Sequence, residues 1–211
     1  MMTETTMVFV IDDELSVRKS LQRLLDAAHY KVELFKSATE FLSRSPHPGP
    51  SCVIVDVQMP GLNGIDFQKA LVKSRREEQL IFITGHGNIS MCAKVMKAGA
   101  IDFLTKPFKP KALVDSVERA LVRSAEQRCR TTEKIQARAL LELLTPREFE
   151  VMELVAQGML NKQIAGELGT AEKTVKCQRS QVMRKLGITS VAELMLLLQK
   201  AEVPSVIRTT N

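Results

Sequence analysis

Short apolar runs recur along the first half of the chain. They are Met7-Val8-Phe9-Val10-Ile11, Cys52-Val53-Ile54-Val55, Leu80-Ile81-Phe82-Ile83 and Ile101-Asp102-Phe103-Leu104. Helically spaced stretches separate them. In the first of these, Val17, Leu21, Leu24 and Leu25 share one face. A further strand near Lys31–Phe35 leads to a helix capped by Ser37 or Thr39. The segment Ser45-Pro46-His47-Pro48-Gly49-Pro50 is too rich in Pro and Gly for regular structure and reads as a loop. A strand ending at Asp56 precedes the turn Met59-Pro60-Gly61-Leu62-Asn63-Gly64. A helix through Met91, Val95 and Met96 runs to Gly99, a C-cap residue, and Pro110 suits the first turn of the next helix. Strands that alternate with helices predict a parallel sheet.

The period changes entirely over residues 145–200, and a distinct stretch precedes them. Residues 120–143 contain neither Gly nor Pro and mix charge with Ala, Leu and Gln. The expectation is a helical extension acting as a linker, with a disordered linker as the alternative. Residues 145–200 read as four helices broken at Gly158, Gly169 and Gly187. Thr145-Pro146-Arg147-Glu148 opens the first with an N-cap, a proline at the first helical position and a capping box. A short helix Lys162–Leu168, the turn Gly169-Thr170-Ala171 and a longer basic helix Glu172–Leu186 form a helix-turn-helix pattern. The last helix, Val191–Ala201, carries Leu194, Met195, Leu197 and Leu198, more apolar surface than one small core needs.

Composition narrows the class. The 211 residues suffice for two modest domains, and no apolar run has the length of a membrane span. No basic segment followed by an apolar one opens the chain, so a cytoplasmic location and no membrane partner are expected. Cys52, Cys92, Cys129 and Cys177 lack metal-ligand spacing and read as separate reduced thiols. His29 and His47 read as surface loop residues, and His86 follows a strand end. The net charge of +6 is spread over both halves, but residues 161–186 set six basic side chains against Glu167 and Glu172. Such a local patch points to nucleic acid, with a solvated helix face as the plain alternative.

Chemistry concentrates at the strand ends. Asp12-Asp13, Asp56, Thr84 and Lys106 each fall at or just past the end of an apolar run. In a parallel sheet those ends face one crevice, where ligands bind. Three carboxylates, a hydroxyl and an ammonium then converge, a set suited to Mg²⁺ and a phosphoryl group. Asp56 is the candidate nucleophile, because a carboxylate attacks a phosphoryl group once charge repulsion is reduced.

These residues closely resemble the receiver domain of two-component response regulators over about residues 5–123. The matching motifs are Val-Ile-Asp-Asp-Glu (10–14), Val-Asp-Val-Gln-Met-Pro-Gly (55–61), Ile-Thr-Gly-His-Gly (83–87) and Lys-Ala-Gly-Ala-Ile-Asp-Phe-Leu-Thr-Lys-Pro-Phe (97–108). Residues 143–201 resemble the LuxR-type helix-turn-helix of the NarL/FixJ family. The match runs through Leu144-Thr145-Pro146-Arg147-Glu148, Asn161-Lys162-Gln163-Ile164-Ala165, Thr174-Val175-Lys176 and Val182-Met183-Arg184-Lys185-Leu186-Gly187.

The resemblance implies a flavodoxin-like, doubly wound α/β receiver (1–123), a helical linker (124–142) and an all-α DNA-binding domain (143–211). It implies Asp56 as phosphoacceptor for a phosphohistidine on a sensor histidine kinase. Mg²⁺ would be held by Asp13, Asp56 and the Gln58 carbonyl, with Asp12 acting through water. Thr84 and Lys106 would bind the phosphoryl oxygens. Gly85 would leave the site open, Phe103 would occupy the aromatic switch position and Lys106-Pro107 would be cis. Val175, Val182 and Leu186 would face the core of the helical domain. Lys176, Cys177 and Ser180 would read base edges in double-stranded DNA, while Lys162, Lys173, Arg179 and Arg184 would contact phosphates. Cys177 and Gln178 stand where the family often has Val and His, which leaves the preferred DNA sequence open. The Cys177 thiol reads as an apolar contact to a thymine methyl or as a redox sensor.

The whole reads as a transcriptional regulator, an activator by resemblance, rather than an enzyme. A phosphorylation-dependent homodimer and contact with RNA polymerase are expected. Two rival functions each fit one part of the chain. A Mg²⁺-dependent phosphatase fits the crevice but leaves residues 145–200 without a purpose. A vestigial receiver on a constitutive DNA-binding module fits the second half but not the intact acidic set.

Overall fold

The computed structural model describes residues 6–74, 76–85 and 89–203. His86 and Gly87 of the motif at 83–87 lie outside them. The chain divides into two compact units, Met1–Arg128 and Cys129–Asn211.

In the first unit five strands alternate with helices: β1 (Met7–Ile11), α1 (Leu15–Ala27), β2 (Val32–Phe35), α2 (Ala38–Ser43), β3 (Ser51–Asp56), α3 (Gly64–Lys73), β4 (Gln79–Thr84), α4 (Ile89–Lys97) and β5 (Asp102–Thr105). All pairings are parallel, in the order β2-β1-β3-β4-β5. Helix α5 (Pro110–Leu141) follows and runs through the division between the units.

The central strands bury both faces, which is why they read as unbroken apolar runs rather than alternating ones. Their period of two sorts side chains between two cores. Phe9, Ile11, Val53, Val55 and Phe82 pack with Phe41, Phe67, Leu71 and Val95, side chains of α2, α3 and α4. Val8, Val10, Cys52, Ile54, Ile81 and Ile83 pack on the other face with Leu21 and Leu25 of α1 and Leu113, Val117 and Ala120 of α5. The predicted α1 face is the buried one, with Val17 and Leu24 at its margin. Ser37, not Thr39, caps α2, its hydroxyl accepting from the Glu40 N–H at 3.2 Å.

His47 departs from the surface reading. It is only half exposed, and its ring meets the Phe9 ring edge-on at 6.0 Å. A loop rich in proline was expected to lie in solvent; the aromatic cluster beneath it draws the imidazole in. His29 is exposed and takes a positive φ of 63° just past α1.

The second unit holds α6 (Pro146–Ala156), α7 (Asn161–Glu167), α8 (Glu172–Leu186) and α9 (Val191–Ala201). Its core gathers Val151, Met152, Val155, Ile164, Val175, Val182, Leu186, Leu194 and Leu198, with Ala137 and Leu141 from α5. The expected core face of α8 is thus the observed one. The capping box is present: Thr145 Oγ1 accepts from the Glu148 N–H, and the Glu148 carboxylate accepts from the Thr145 N–H at 2.8 Å. The same carboxylate receives the Lys185 ammonium at 2.6 Å, and Lys185 also donates to the Leu143 carbonyl. One buried glutamate therefore joins the start of α6 to the end of α8. The Lys185 hydrogen bond, reinforced by the Thr145 N–H, holds the Glu148 carboxyl down at about 2.

Two expectations follow. A Cβ at Gly64 would lie 2.8 Å from the Asp56 carbonyl and 3.0 Å from Val57 Cα, both backbone atoms. Gly64→Ala should therefore cost roughly 1–3 kcal/mol, as overpacking does. The check is the urea midpoint, with the m-value held constant. Glu148 has a folded pKa below its ordinary value of 4.5, so its stabilisation is complete above that value. It should fade as pH falls through 4.5 toward about 2. Glu148→Gln should melt lower than the parent chain at pH 7, by several degrees, and the gap should close near pH 2. Circular dichroism melts across that range would show it, and a gap that persists at low pH would exclude this role for the ion pair.

Candidate functional site

The carboxyl ends of the central strands bring the acidic set together. Asp12 directly follows β1, Asp56 and Thr84 end β3 and β4, and Lys106 directly follows β5. Parallel register puts these ends on one edge, because each strand starts its climb from the same side of the sheet. Backbone bonds extend the ladder to the edge: Lys106 N–H donates to the Thr84 carbonyl at 2.7 Å and Val57 N–H to the Ile83 carbonyl at 3.0 Å. The Lys106-Pro107 peptide is cis.

The Lys106 ammonium lies 3.0 Å from Asp12 Oδ2 and 2.8 Å from Asp56 Oδ2. The second oxygen of each carboxylate accepts from backbone. Asp12 Oδ1 takes the Glu14 N–H at 2.9 Å, and Asp56 Oδ1 takes the Gln58 N–H at 3.0 Å. Asp12 and Thr84 are fully buried and Asp56 nearly so. Burial raises the Asp12 carboxyl above its ordinary value, against the opposing hydrogen bonds from Lys106 and the Glu14 N–H. Burial also penalises the Lys106 ammonium, but hydrogen bonds and charge from Asp56 and Asp12 outweigh it, so its pKa lies above that of an ordinary lysine. The lysine stays charged at neutral pH.

Asp12, Asp56 and Lys106 are thus joined, with buried Thr84 at the neighbouring strand end. Asp13 is exposed, and it does not close a cage with the other two: among the described residues no three His, Cys, Asp or Glu side chains gather as a metal site. The donor chemistry nevertheless fits Mg²⁺. All candidate atoms are oxygens, and Mg²⁺ binds through one or two carboxylates while keeping waters. Gln58 is exposed beside Asp56. A Cβ on Gly85 would meet nothing within 4 Å, so the space beside Thr84 is open. Phe103 is half-buried on β5, in register with Phe82, at the margin of the aromatic core.

The second candidate surface lies on α8. Lys173, Lys176, Cys177, Ser180 and Arg184 line one shallow concavity, together with Gln181. All six are exposed. Gln181 was not among the expected contacts, yet it sits one helical turn after Cys177. Two residues lie outside that lining. Lys162 is exposed on α7, and the half-buried Arg179 donates to Asn161 Oδ1 at 3.2 Å. Lys185, one of the six basic residues of the segment, faces inward on Glu148, so charge counting overstates the free positive surface. Arg18 was also missed at the acidic site: it donates to the carbonyls of Asp12 and Asp13, and no periodicity or charge pattern announces that.

Comparison with known proteins accounts for both halves. Residues 8–118 match the response regulator receiver domain, and residues 142–198 match the bacterial regulatory proteins of the luxR family. Nodulation protein W of Bradyrhizobium diazoefficiens is 44% identical over 188 residues, 89% of this chain and 83% of that protein. The transcriptional regulatory protein FixJ of the same organism is 38% identical over 201 residues, 95% of this chain and 98% of that one. The solved structure of the response regulator StyR superposes with a TM-score of 0.81 at 44% identity, over 93% of this chain and 99% of that one. Among the described residues no helix is long and apolar enough to cross a membrane. A receiver sheet with its acidic edge, followed by a helix-turn-helix unit and matched over most of its length by such relatives, places the chain in the NarL/FixJ family of response regulators, which are DNA-binding transcription regulators rather than enzymes.

Proposed function

We propose that the chain is switched by phosphorylation of Asp56 and then acts on DNA through α8. The observation that carries this is the Lys106 ammonium held between two buried carboxylates at an open strand edge. The donor is a phosphohistidine on a partner sensor histidine kinase. An Asp56 oxygen forms the new O–P bond as the P–N bond to the imidazole breaks, and the imidazole leaves with that electron pair. When bound, Mg²⁺ would supply neutralisation of the negative charge at the acidic edge. Asp13, Asp56 and the Gln58 carbonyl would hold it, with Asp12 acting through water.

The remaining work belongs to the side chains already in place. Lys106 is protonated and already aimed at Asp56, so little reorganisation is needed as charge develops. Thr84 binds a phosphoryl oxygen, and the open space at Gly85 admits the group. The product adds roughly −1.5 to −2 charges at the strand edge. Lys106 and Thr84 register that charge, and Phe103 moves inward as they close on it. The changed face of α4 and β5 then favours a homodimer, which places two α8 helices on adjacent half-sites of double-stranded DNA about one turn apart. Lys176, Cys177 and Ser180 read base edges, while Lys162, Lys173, Arg179 and Arg184 contact phosphates. The protein works in the cytoplasm, without membrane contact, as an activator that engages RNA polymerase.

Asp56→Asn should abolish labelling by a small acyl phosphate, because an amide is a poor nucleophile. Full labelling of that variant, read by intact mass, would move the phosphosite elsewhere. On DNA, Arg184→Ala should weaken specific and scrambled sequences alike and lower the salt slope by about one unit. Lys176→Ala should cost roughly 1–3 kcal/mol on the specific site alone. Gel-shift titrations decide between them, and wild-type binding of both DNAs by Lys176→Ala would remove that residue from base reading.

A further inference from the structure

Arg18 stands in α1, one turn into the helix, and its side chain turns back over the acidic loop. Its Nη1 donates to the Asp12 carbonyl at 2.5 Å and to the Asp13 carbonyl at 2.9 Å. One nitrogen thereby ties two consecutive carbonyls whose side chains belong to the acidic edge. The opposite flank of the loop is held differently, by the Glu14 N–H on Asp12 Oδ1. Asp12 is also anchored through its backbone N–H to the Phe35 carbonyl and through Oδ2 to Lys106. Asp13 is exposed and, of these ties, receives only the one from Arg18.

We propose that Arg18 is a positioning residue for the metal-binding acidic loop: it fixes the Asp13 backbone so that the Asp13 carboxylate is presented to Mg²⁺ without touching the ion itself. The inference rests on the reading of Asp12, Asp13 and Asp56 as the Mg²⁺-binding set. A guanidinium beside a carboxylate pair opposes the binding of a second cation, so on charge alone its removal would tighten Mg²⁺ binding. A positioning role has the opposite sign. Ligand-orienting partners of a metal site typically contribute 10–100-fold in affinity. Lysine at this position keeps the charge but ends one atom short of Nη1, so it should not restore the double tie.

The test is calorimetric titration of MgCl2 into the full chain, with no phosphoryl donor present. Arg18→Met and Arg18→Lys should each weaken Mg²⁺ binding roughly tenfold. Melting in EDTA should stay within a few degrees of the parent chain. A wild-type or tighter dissociation constant for Arg18→Met overturns the proposal. Should Arg18→Met not fold, the same result for Arg18→Lys overturns it equally. Asp13→Asn, run alongside, separates the two levels. If it loses Mg²⁺ binding while the Arg18 variants keep it, only the Arg18 role fails. If Asp13→Asn binds like the parent, the acidic-set reading fails and takes this inference with it.

Discussion

The receiver unit depends on one lysine between two buried carboxylates. Taking three charges out of water is expensive, and it is tolerated only where every charge finds partners. Lys106 meets Asp12 and Asp56, and the spare carboxylate oxygens are satisfied by the Glu14 and Gln58 N–H groups. The cluster can exist because three strand ends arrive on one edge of a parallel sheet. Any slip of register would turn these side chains into the apolar core or out to solvent. The close approach of Gly64 to the Asp56 carbonyl belongs to the same constraint, since the chain leaving β3 must double back at once into α3.

The opposite end of the sheet shows how differently charge is handled where no ligand is expected. Arg76 and Glu78 pair at 2.7 Å with both side chains nearly buried. The Arg44 guanidinium lies 4.1 Å over the Phe9 ring, and that of Arg76 lies 4.5 Å over the Phe41 ring. These cations close the aromatic core and are covered by it. At the acidic edge the charges instead border open space, beside Gly85 and the exposed Gln58. A buried ion pair at a closed end reads as architecture, and one at an open strand edge reads as chemistry.

The helix-turn-helix unit uses a related device. Glu148 accepts from the Thr145 backbone and from Lys185, so the capping group of α6 also anchors the end of α8. That anchoring leaves the other side of α8 free to present Lys173, Lys176, Cys177, Ser180, Gln181 and Arg184 together. The division of labour between two lysines of one helix, Lys176 outward and Lys185 inward, decides which positive charges a polyanion can meet.

Much of this was legible in the residues alone. The strands were visible because burial on both faces demands continuous apolar runs, and their ends marked the edge where Asp12, Asp56, Thr84 and Lys106 fall. The bounds of α8 and α9, the capping box at Thr145 and the core face through Val175, Val182 and Leu186 follow from local rules of capping and periodicity, which need no tertiary information. What the sequence could not decide were contacts between segments distant along the chain or hidden in side-chain geometry. Spacing places Asp12 and Asp13 together at one strand end, yet one is buried and the other exposed, because successive residues leaving a strand point to opposite sides. Charge counting treated Lys185 as part of the basic patch, whereas Glu148, far away in sequence, claims it. His47 seemed a fully solvated loop residue until the Phe9 ring beneath it was in place. Arg18 carries no motif at all, and its link to the acidic loop arises only because α1 folds back over the strand end that precedes it. Local preference and burial periodicity are written in the sequence, while the pairing of particular charges is settled only when the packed elements fix which groups can reach one another.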